Sequence, residues 1–269
     1  MVGVIVPVHG FAPYLAEALD CVLAQEPRPE AVIVVDDASP EPLALHPDHA
    51  PHCTLVRRER CGGPAAARAS GLEALGAAVE LVALCDADDA WTVGKLAAQL
   101  DALEHSKDAA LCFGRALVVG ADGRATGERW KELAGGSHSG PSLVAQLYEF
   151  NSIPTSSVAL RRTALEAAGG FESSVRLAED WDLWLRMAAR GELFVCAPGA
   201  IVRYRRHSDG LTADIGALAR CQLEMHRAHG ALVAPGVRER ALANDAAALR
   251  SAQRRGLRRL LPRRDPYRR

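Results

Sequence analysis

Three groups of carboxylates in this chain sit where apolar runs begin or end. Leu81-Val82-Ala83-Leu84-Cys85 breaks into Asp86-Ala87-Asp88-Asp89, and Ala31-Val32-Ile33-Val34-Val35 breaks into Asp36-Asp37. Glu179-Asp180 opens a stretch whose apolar side is Leu183, Trp184 and Met187. Oxygen-only ligands on a loop, such as Asp86 and Asp88, suit a hard divalent cation, Mn²⁺ or Mg²⁺, that keeps open positions for phosphate oxygens. The same Asp-Ala-Asp-Asp would also serve as a solvated turn capping a helix that begins near Trp91. Asp36 and Asp37 can accept from ribose hydroxyls or a base N–H, or simply cap a turn. Arg68 follows Gly62-Gly63, where glycine lets backbone approach a ligand and an arginine fork can pin a carboxylate or a nucleotide. A surface salt bridge from Arg68 to Asp37 or Asp86 is the other reading. Glu179-Asp180 could be no more than a helix-start pair favoured by the macrodipole.

The elements that must carry these residues read as alternating strands and helices. Val2–Val8 is a buried strand, Tyr14–Gln25 a helix stopped by Pro27 and Pro29, and Ala31–Val35 a second strand. Cys53–Arg57, an alanine-rich helix over Ala65–Leu75 and the strand Leu81–Cys85 complete a doubly wound pattern. In such sheets ligands sit beyond the carboxyl ends of the strands. After Trp91 the pattern predicts a helix over Val93–Leu103 and short strands over Leu111–Gly114 and Ala116–Val119, with a turn at Ala121-Asp122-Gly123. A polar Gly/Ser-rich loop over Gly127–Gly140 follows, read as either a mobile element near an acceptor cleft or an ordinary loop. Then come a helix over Ser142–Phe150, a strand over Ser156–Leu160, helices over Arg162–Ala168 and Glu179–Ala189, and a last strand over Ile201–Tyr204. From about Ala213 the chain reads as helical.

With 269 residues, 49% hydrophobic content and a net charge of −1, the chain has ample core and no electrostatic signature of a nucleic-acid binder. Its seven cysteines are scattered and never in a CxxC pair, as expected of reduced thiols in the cytoplasm. Val4-Ile5-Val6 starts almost at the N-terminus without a basic lead, and no apolar run approaches the ~20 residues of a membrane span.

Val4-Ile5-Val6-Pro7-Val8, Val34-Val35-Asp36-Asp37-Ala38-Ser39, Gly63-Pro64-Ala65-Ala66-Ala67-Arg68 and Asp86-Ala87-Asp88-Asp89 occur in the order and spacing of family 2 glycosyltransferases. Ala178-Glu179-Asp180-Trp181-Asp182-Leu183-Trp184-Leu185-Arg186 and Tyr204-Arg205-Arg206-His207-Ser208 resemble that family's later motifs. The resemblance spans roughly residues 2–212. It departs at His9-Gly10, where the family often has Tyr-Asn, and at Ser70, where it has Asn. It implies a GT-A fold: a three-layer α/β/α sandwich with a mixed, mostly parallel central sheet, here followed by a helical extension. The implied organisation is a nucleotide-sugar-binding half over 1–115, an acceptor and catalytic-base half over 116–212, and an Arg-rich extension over 213–269.

It further implies that Pro7, Asp37, Arg68 and Asp86 bind the nucleotide, with Asp37 on the nucleoside and Asp86 on the ribose. Asp88 and His207 are the implied metal ligands, and Arg205, Glu179 and Trp181 lie around the diphosphate and acceptor. Asp180 is the expected catalytic base. A nucleoside diphosphate leaves already anionic and metal-stabilised, so a single carboxylate that deprotonates the acceptor hydroxyl suffices. That logic predicts in-line displacement with inversion.

The expected function is transfer from a nucleotide-sugar donor, UDP-sugars favoured, to a glycan or lipid-linked acceptor, with Mn²⁺ or Mg²⁺ as cofactor and no nucleic-acid partner. Bacterial surface glycan synthesis is the expected setting, and tailoring of a secondary metabolite or protein comes second. A nucleotidyltransferase would open with a Gly-rich, basic phosphate loop, which Phe11-Ala12-Pro13-Tyr14 is not. A non-catalytic nucleotide-sugar binder would not need Asp88, Asp180 and His207 together. The stretch Arg250–Arg269, with nine arginines, is read as either a peripheral contact with anionic lipid or a solvated tail.

Overall fold

The computed structural model describes residues 1–260 apart from 176, 209, 211 and 212. Contacts divide the chain into two units, Met1–Ser208 and Asp209–Arg269. The first unit is a sheet flanked by helices. Its strands are β1 (Val2–Val8), β2 (Ala31–Asp36), β3 (Thr54–Arg57), β4 (Leu81–Leu84), β5 (Ala90–Trp91), β6 (Ala109–Val119), β7 (Ala125–Arg129), β8 (Ser137–His138), β9 (Val158–Arg161) and β10 (Leu193–Arg205). Its helices are α1 (Leu15–Leu23), α2 (Gly63–Ala74), α3 (Lys95–His105), α4 (Gly140–Glu149), α5 (Arg162–Ala167) and α6 (Glu179–Ala189).

The sheet order is β3-β2-β1-β4-β9-β6-β10-β5, with β7 beside β6 and β8 beside β10. Along that path β9 and β5 run against the other strands. The carboxyl ends of β1, β2, β4 and β10 therefore share one edge, as a doubly wound sheet requires for a ligand crevice.

The core explains why these segments became central strands. Val4, Ile5, Val6, Val34, Val35, Val82, Ala83 and Leu84 are completely buried, so β1, β2 and β4 are covered on both faces. Pro7 is tolerated in β1 because β1 pairs with β4 only as far as Ile5, leaving no ladder partner on that side. The small residues of α2 let it lie close on the sheet: a Cβ at Gly71 would fall 2.5 Å from Ile5 Cγ2.

Several expectations need correction. The helix expected near Trp91 starts only at Lys95, because Ala90-Trp91 pairs with Arg203 and Val202 of β10 as a short strand. The two short strands expected over 111–119 are one continuous β6. The last strand is not four residues but thirteen, Leu193–Arg205. Pro198-Gly199 sits in a bulge between Cys196 and Ile201 and bends the strand without ending it. There the carbonyl of Ala200 comes so close to β6 that a Cβ on Gly114 would stand 2.0 Å from it. The polar loop is shorter than expected, since β7 reaches Arg129 and Ser137-His138 pairs with Val195 and Phe194.

The second unit is helical, with α7 (Ile215–Ala228) and α8 (Pro235–Leu260). Asp214 caps α7 by accepting from the N–H groups of Gly216 and Ala217. Buried His226 and Asp245 meet at 2.6 Å and pin the two helices together. Among the described residues no helix is long and apolar enough to cross a membrane. The arginine-rich stretch named above falls, from residue 261 onward, outside the described residues.

Candidate active site

The end of β2 delivers two carboxylates with different tasks. Asp36 is buried and accepts from the N–H groups of Ser39 and Leu43 and from Arg57. Burial alone would raise its pKa, but these donors hold it down at about 2. Asp36 therefore ties the loop after β2 in place. Asp37, also buried, accepts from the N–H groups of Gly62 and Gly63 and pairs with Arg58. It fastens the start of α2, the helix that carries Arg68, to the rim. Ala38, which follows, has φ of 54°, a left-handed conformation that costs a non-glycine residue about 1–2 kcal/mol.

Arg68 is the hub of the site. It is not the surface salt bridge considered above, because it is buried and spans two carboxylates: Asp86 at 2.5 Å and Glu179 in direct contact. Burial would drive its proton off, yet Asp86, Glu179 and Asp180 more than offset this and keep the guanidinium above its ordinary pKa. The pKa of Glu179 is also raised, by burial and despite Arg68. One side chain thus joins the loop after β4 to the first turn of α6, 111 residues away. Glu179 and Asp180 follow Ala178, whose φ is 61°. The two non-glycine residues with positive φ among the described residues both adjoin acidic pairs of the rim, where strained backbone tends to collect.

Asp88 and His207 meet from opposite sides, Oδ2 to Nε2 3.1 Å apart. Two ligand atoms at right angles around one ion at about 2.1 Å stand about 3.0 Å from each other, so the pair is already spaced to share a cation. Burial raises the Asp88 pKa, Asp86 adds to the rise, and His207 opposes it. Asp89 is pushed well up by burial and by Asp88 and Asp86. This surplus of crowded carboxylates is an environment that a bound dication would relieve, and the donor set fits Mn²⁺ or Mg²⁺.

Asp89 accepts from the N–H of Arg205 at 2.9 Å, so its role is to fasten the acidic loop to β10. Arg205, expected near a diphosphate, is buried and has several protein partners. It donates to the carbonyls of Asp88, Gly120 and Ala121, pairs with Glu17 at 2.5 Å and stacks on Tyr14. Its work is to hold the backbone of Asp88, and Tyr14 also lies edge-on to His207.

Asp180 sits at the other end of the row. One carboxylate oxygen accepts from Thr155 at 2.7 Å and Asn151 at 3.2 Å, and the other from the N–H of Trp181 at 2.7 Å. A carboxylate has about four acceptor positions, so one remains open. Trp181, expected to line an acceptor site, is buried and donates its indole N–H to the carbonyl of Leu147 in α4. That bond ties the first turn of α6 to α4. Pro7 lies one strand position before the rim, opposite Val35.

His207 thus touches Asp88, and Arg68 touches both Asp86 and Glu179; Asp86 acts on Asp88, and Asp180 on Glu179, through their charges. The supporting residues Glu17, Tyr14, Asn151, Thr155 and Ser156 were not anticipated; the Ser156 hydroxyl oxygen accepts from the N–H of Asp86 at 2.9 Å. Only their positions near strand or helix ends could have hinted at them.

Comparisons with known proteins find relatives both in sequence and in fold. An uncharacterized protein of Mycobacterium tuberculosis strain H37Rv is 31% identical over 74% of this chain and 56% of its own length. The pre-mycofactocin glycosyltransferase of the same organism is 28% identical over 76% of this chain and 42% of its own. The succinoglycan biosynthesis protein ExoW of Rhizobium meliloti is 37% identical over 33% of this chain and 30% of its own. The chain spans about half the length of the first of these relatives.

Among solved structures, S. aureus TarS 1-349 superposes with a TM-score of 0.64 at 15% identity, covering 92% of this chain and 71% of that one. The mannosyltransferase PcManGT from Pyrobaculum calidifontis, in complex with GDP-Man and Mn²⁺, gives 0.60 at 22% identity over 94% of this chain and 74% of that one. These likenesses establish the GT-A α/β fold. The family model described as Glycosyl transferase family 2 matches residues 3–165, more than half of the sequence, and the chain belongs to that family.

Proposed function

We propose that this protein is a metal-dependent, inverting glycosyltransferase that moves a sugar from a nucleoside-diphosphate sugar to an acceptor hydroxyl. The observation that carries the proposal is the row from His207 and Asp88 through Asp86, Arg68 and Glu179 to Asp180, joined partly by contact and partly by charge. It sets a cation-binding pair at one end and an orientated carboxylate with a spare acceptor position at the other. Asp88 and His207 would hold Mn²⁺ or Mg²⁺, which when bound supplies positive charge against the diphosphate.

Arg68 keeps Asp86 and Glu179 apart and fixed. In this reading Asp86 faces the ribose and Asp37 the nucleoside. Thr155 and Asn151 orient Asp180 so that its free position takes the proton of the acceptor hydroxyl as that oxygen attacks. A lone base with no partner acid predicts inversion at the anomeric carbon. UDP-sugars are the favoured donors, as S. aureus TarS has been seen with UDP and with UDP-GlcNAc. A bacterial surface glycan, lipid-linked or free, is the favoured acceptor, in keeping with the succinoglycan relative.

The test is transfer from a panel of UDP-, GDP- and dTDP-sugars with Mn²⁺, with the product anomer assigned by NMR. Transfer that is lost in EDTA, restored by Mn²⁺ and inverted in configuration supports the proposal. Retention of configuration, or activity indifferent to chelation, removes it.

A further inference from the structure

A second set of donor atoms gathers at the same edge, away from the acidic row. One imidazole nitrogen of His9, the Sγ of Cys61 and a carboxylate oxygen of Asp37 lie within 4.8 Å of one another. His9 Nδ1 is 2.9 Å from the backbone carbonyl of Asp37. A carbonyl can only accept, so Nδ1 carries the proton and Nε2 keeps the free lone pair. Metal-ligating histidines are commonly held in this way, by a backbone carbonyl on the other nitrogen. Cys61 Sγ lies 3.4 Å from Asp37 Oδ2. Of the seven cysteines Cys61 alone is exposed, and His9 is exposed as well, so a cation reaches both from solvent. Asp37 is held by the N–H groups of Gly62 and Gly63, and its present cation, the partly exposed Arg58, is the group an incoming metal ion would displace.

We propose that His9, Asp37 and Cys61 form a site for a thiophilic divalent cation, with Zn²⁺ as the type, separate from the hard-cation pair Asp88–His207. Nitrogen, sulfur and oxygen donors together suit Zn²⁺, whereas Mg²⁺ and Mn²⁺ prefer oxygen. On binding, the Cys61 thiol gives its proton to solvent and the thiolate takes the metal, with no change of oxidation state. Occupancy is inhibitory, since the ion takes over the carboxylate assigned to the nucleoside; this part rests on the function proposed above.

The experiment uses Co²⁺ as a spectroscopic stand-in, added to the full chain with excess Mg²⁺ so that Asp88 and His207 are occupied. The expected result is a thiolate-to-cobalt charge-transfer band that saturates near one equivalent and is displaced by Zn²⁺. The band is absent in Cys61→Ser, and the affinity falls at least tenfold in His9→Gln. No band, or a band that survives Cys61→Ser, overturns the site. Calorimetry of a UDP-sugar with and without Zn²⁺ then tests the inhibition: donor affinity should fall at least tenfold in the wild type and stay unchanged in Cys61→Ser. Donor binding indifferent to Zn²⁺ overturns the inhibitory role. A protein that binds no nucleotide sugar even without Zn²⁺ refutes the glycosyltransferase reading and the inhibition together, while the cobalt band decides the site independently.

Discussion

Replacing Lys95 with Met should stabilise the protein, and by an amount that depends on pH. Lys95 opens α3 and is completely buried, with Nζ 3.5 Å from the centroid of the Trp91 ring. Among the described residues its amine has no hydrogen-bond partner. Burial pulls its pKa from 10.5 down to about 7. The folded value lies below the unfolded one, so between pH 7 and 10.5 the unfolded chain binds the additional proton. Stability therefore rises with pH across that window, by up to about 1.4 kcal/mol per pH unit.

The destabilisation is complete below pH 7, amounts to roughly 4 kcal/mol at pH 7 and about 2 kcal/mol at pH 9, and vanishes above about pH 10.5. Met has a similar length, carries no charge and makes a favourable sulfur contact with an indole. Lys95→Met should accordingly exceed the wild type by a few kcal/mol at pH 7, with the gap closing steadily towards pH 9. Urea unfolding followed by tryptophan fluorescence at pH 7, 8 and 9 measures this. A gap that does not change with pH, or a variant less stable than the wild type at pH 7, would refute the reasoning.

Arg68→Gln leaves Asp86 and Glu179 facing each other without their shared cation. It should cost about 3–5 kcal/mol, read as a lowered urea midpoint, and an unchanged midpoint would deny Arg68 its bridging role. Asp36→Asn should flatten the acid limb of the stability profile. The folded pKa of Asp36 is depressed to about 2, so its contribution is complete above about pH 4 and lost as the pH falls towards 2; two parallel acid titrations would contradict this. Ala178→Gly relieves a left-handed alanine and should raise stability by up to about 1 kcal/mol while lowering kcat through a looser Asp180, and a drop in melting temperature would argue against strain there. His207→Ala should weaken Mn²⁺ binding about 10–100-fold in calorimetry, and unchanged affinity would remove His207 from the cation pair.

Much of the rim was legible because strand-to-carboxylate junctions are local. A continuous apolar run that ends in aspartates is visible within ten residues, and β2 and β4 are runs of that kind. The pairing of Arg68 with Glu179 was not legible, since it joins residues 111 apart and nothing near either one specifies the other. The partners of Arg205 were not legible because its motif gives its neighbours in sequence but not Glu17 and Tyr14, which hold its guanidinium. Trp181 drew notice because sugar C–H faces pack on indole, but its hydrogen bond to the carbonyl of Leu147 in α4 was not legible in the sequence. The length of β10 was hidden by Pro198-Gly199, which ordinarily ends a strand but here lies in a bulge. Lys95 gave no sign at all, since a lysine at the start of a helix is ordinarily solvated.

The central claim is that Asp180 takes the proton of the acceptor hydroxyl, while donor binding depends on groups elsewhere in the row. It is tested most directly by titrating a nucleotide sugar with Mn²⁺ into wild type and Asp180→Asn, alongside the turnover of each. The prediction is a dissociation constant within about threefold of wild type and a turnover lowered by about 10²–10⁴-fold. Donor binding lost in proportion to turnover would contradict it and return Asp180 to the scaffold.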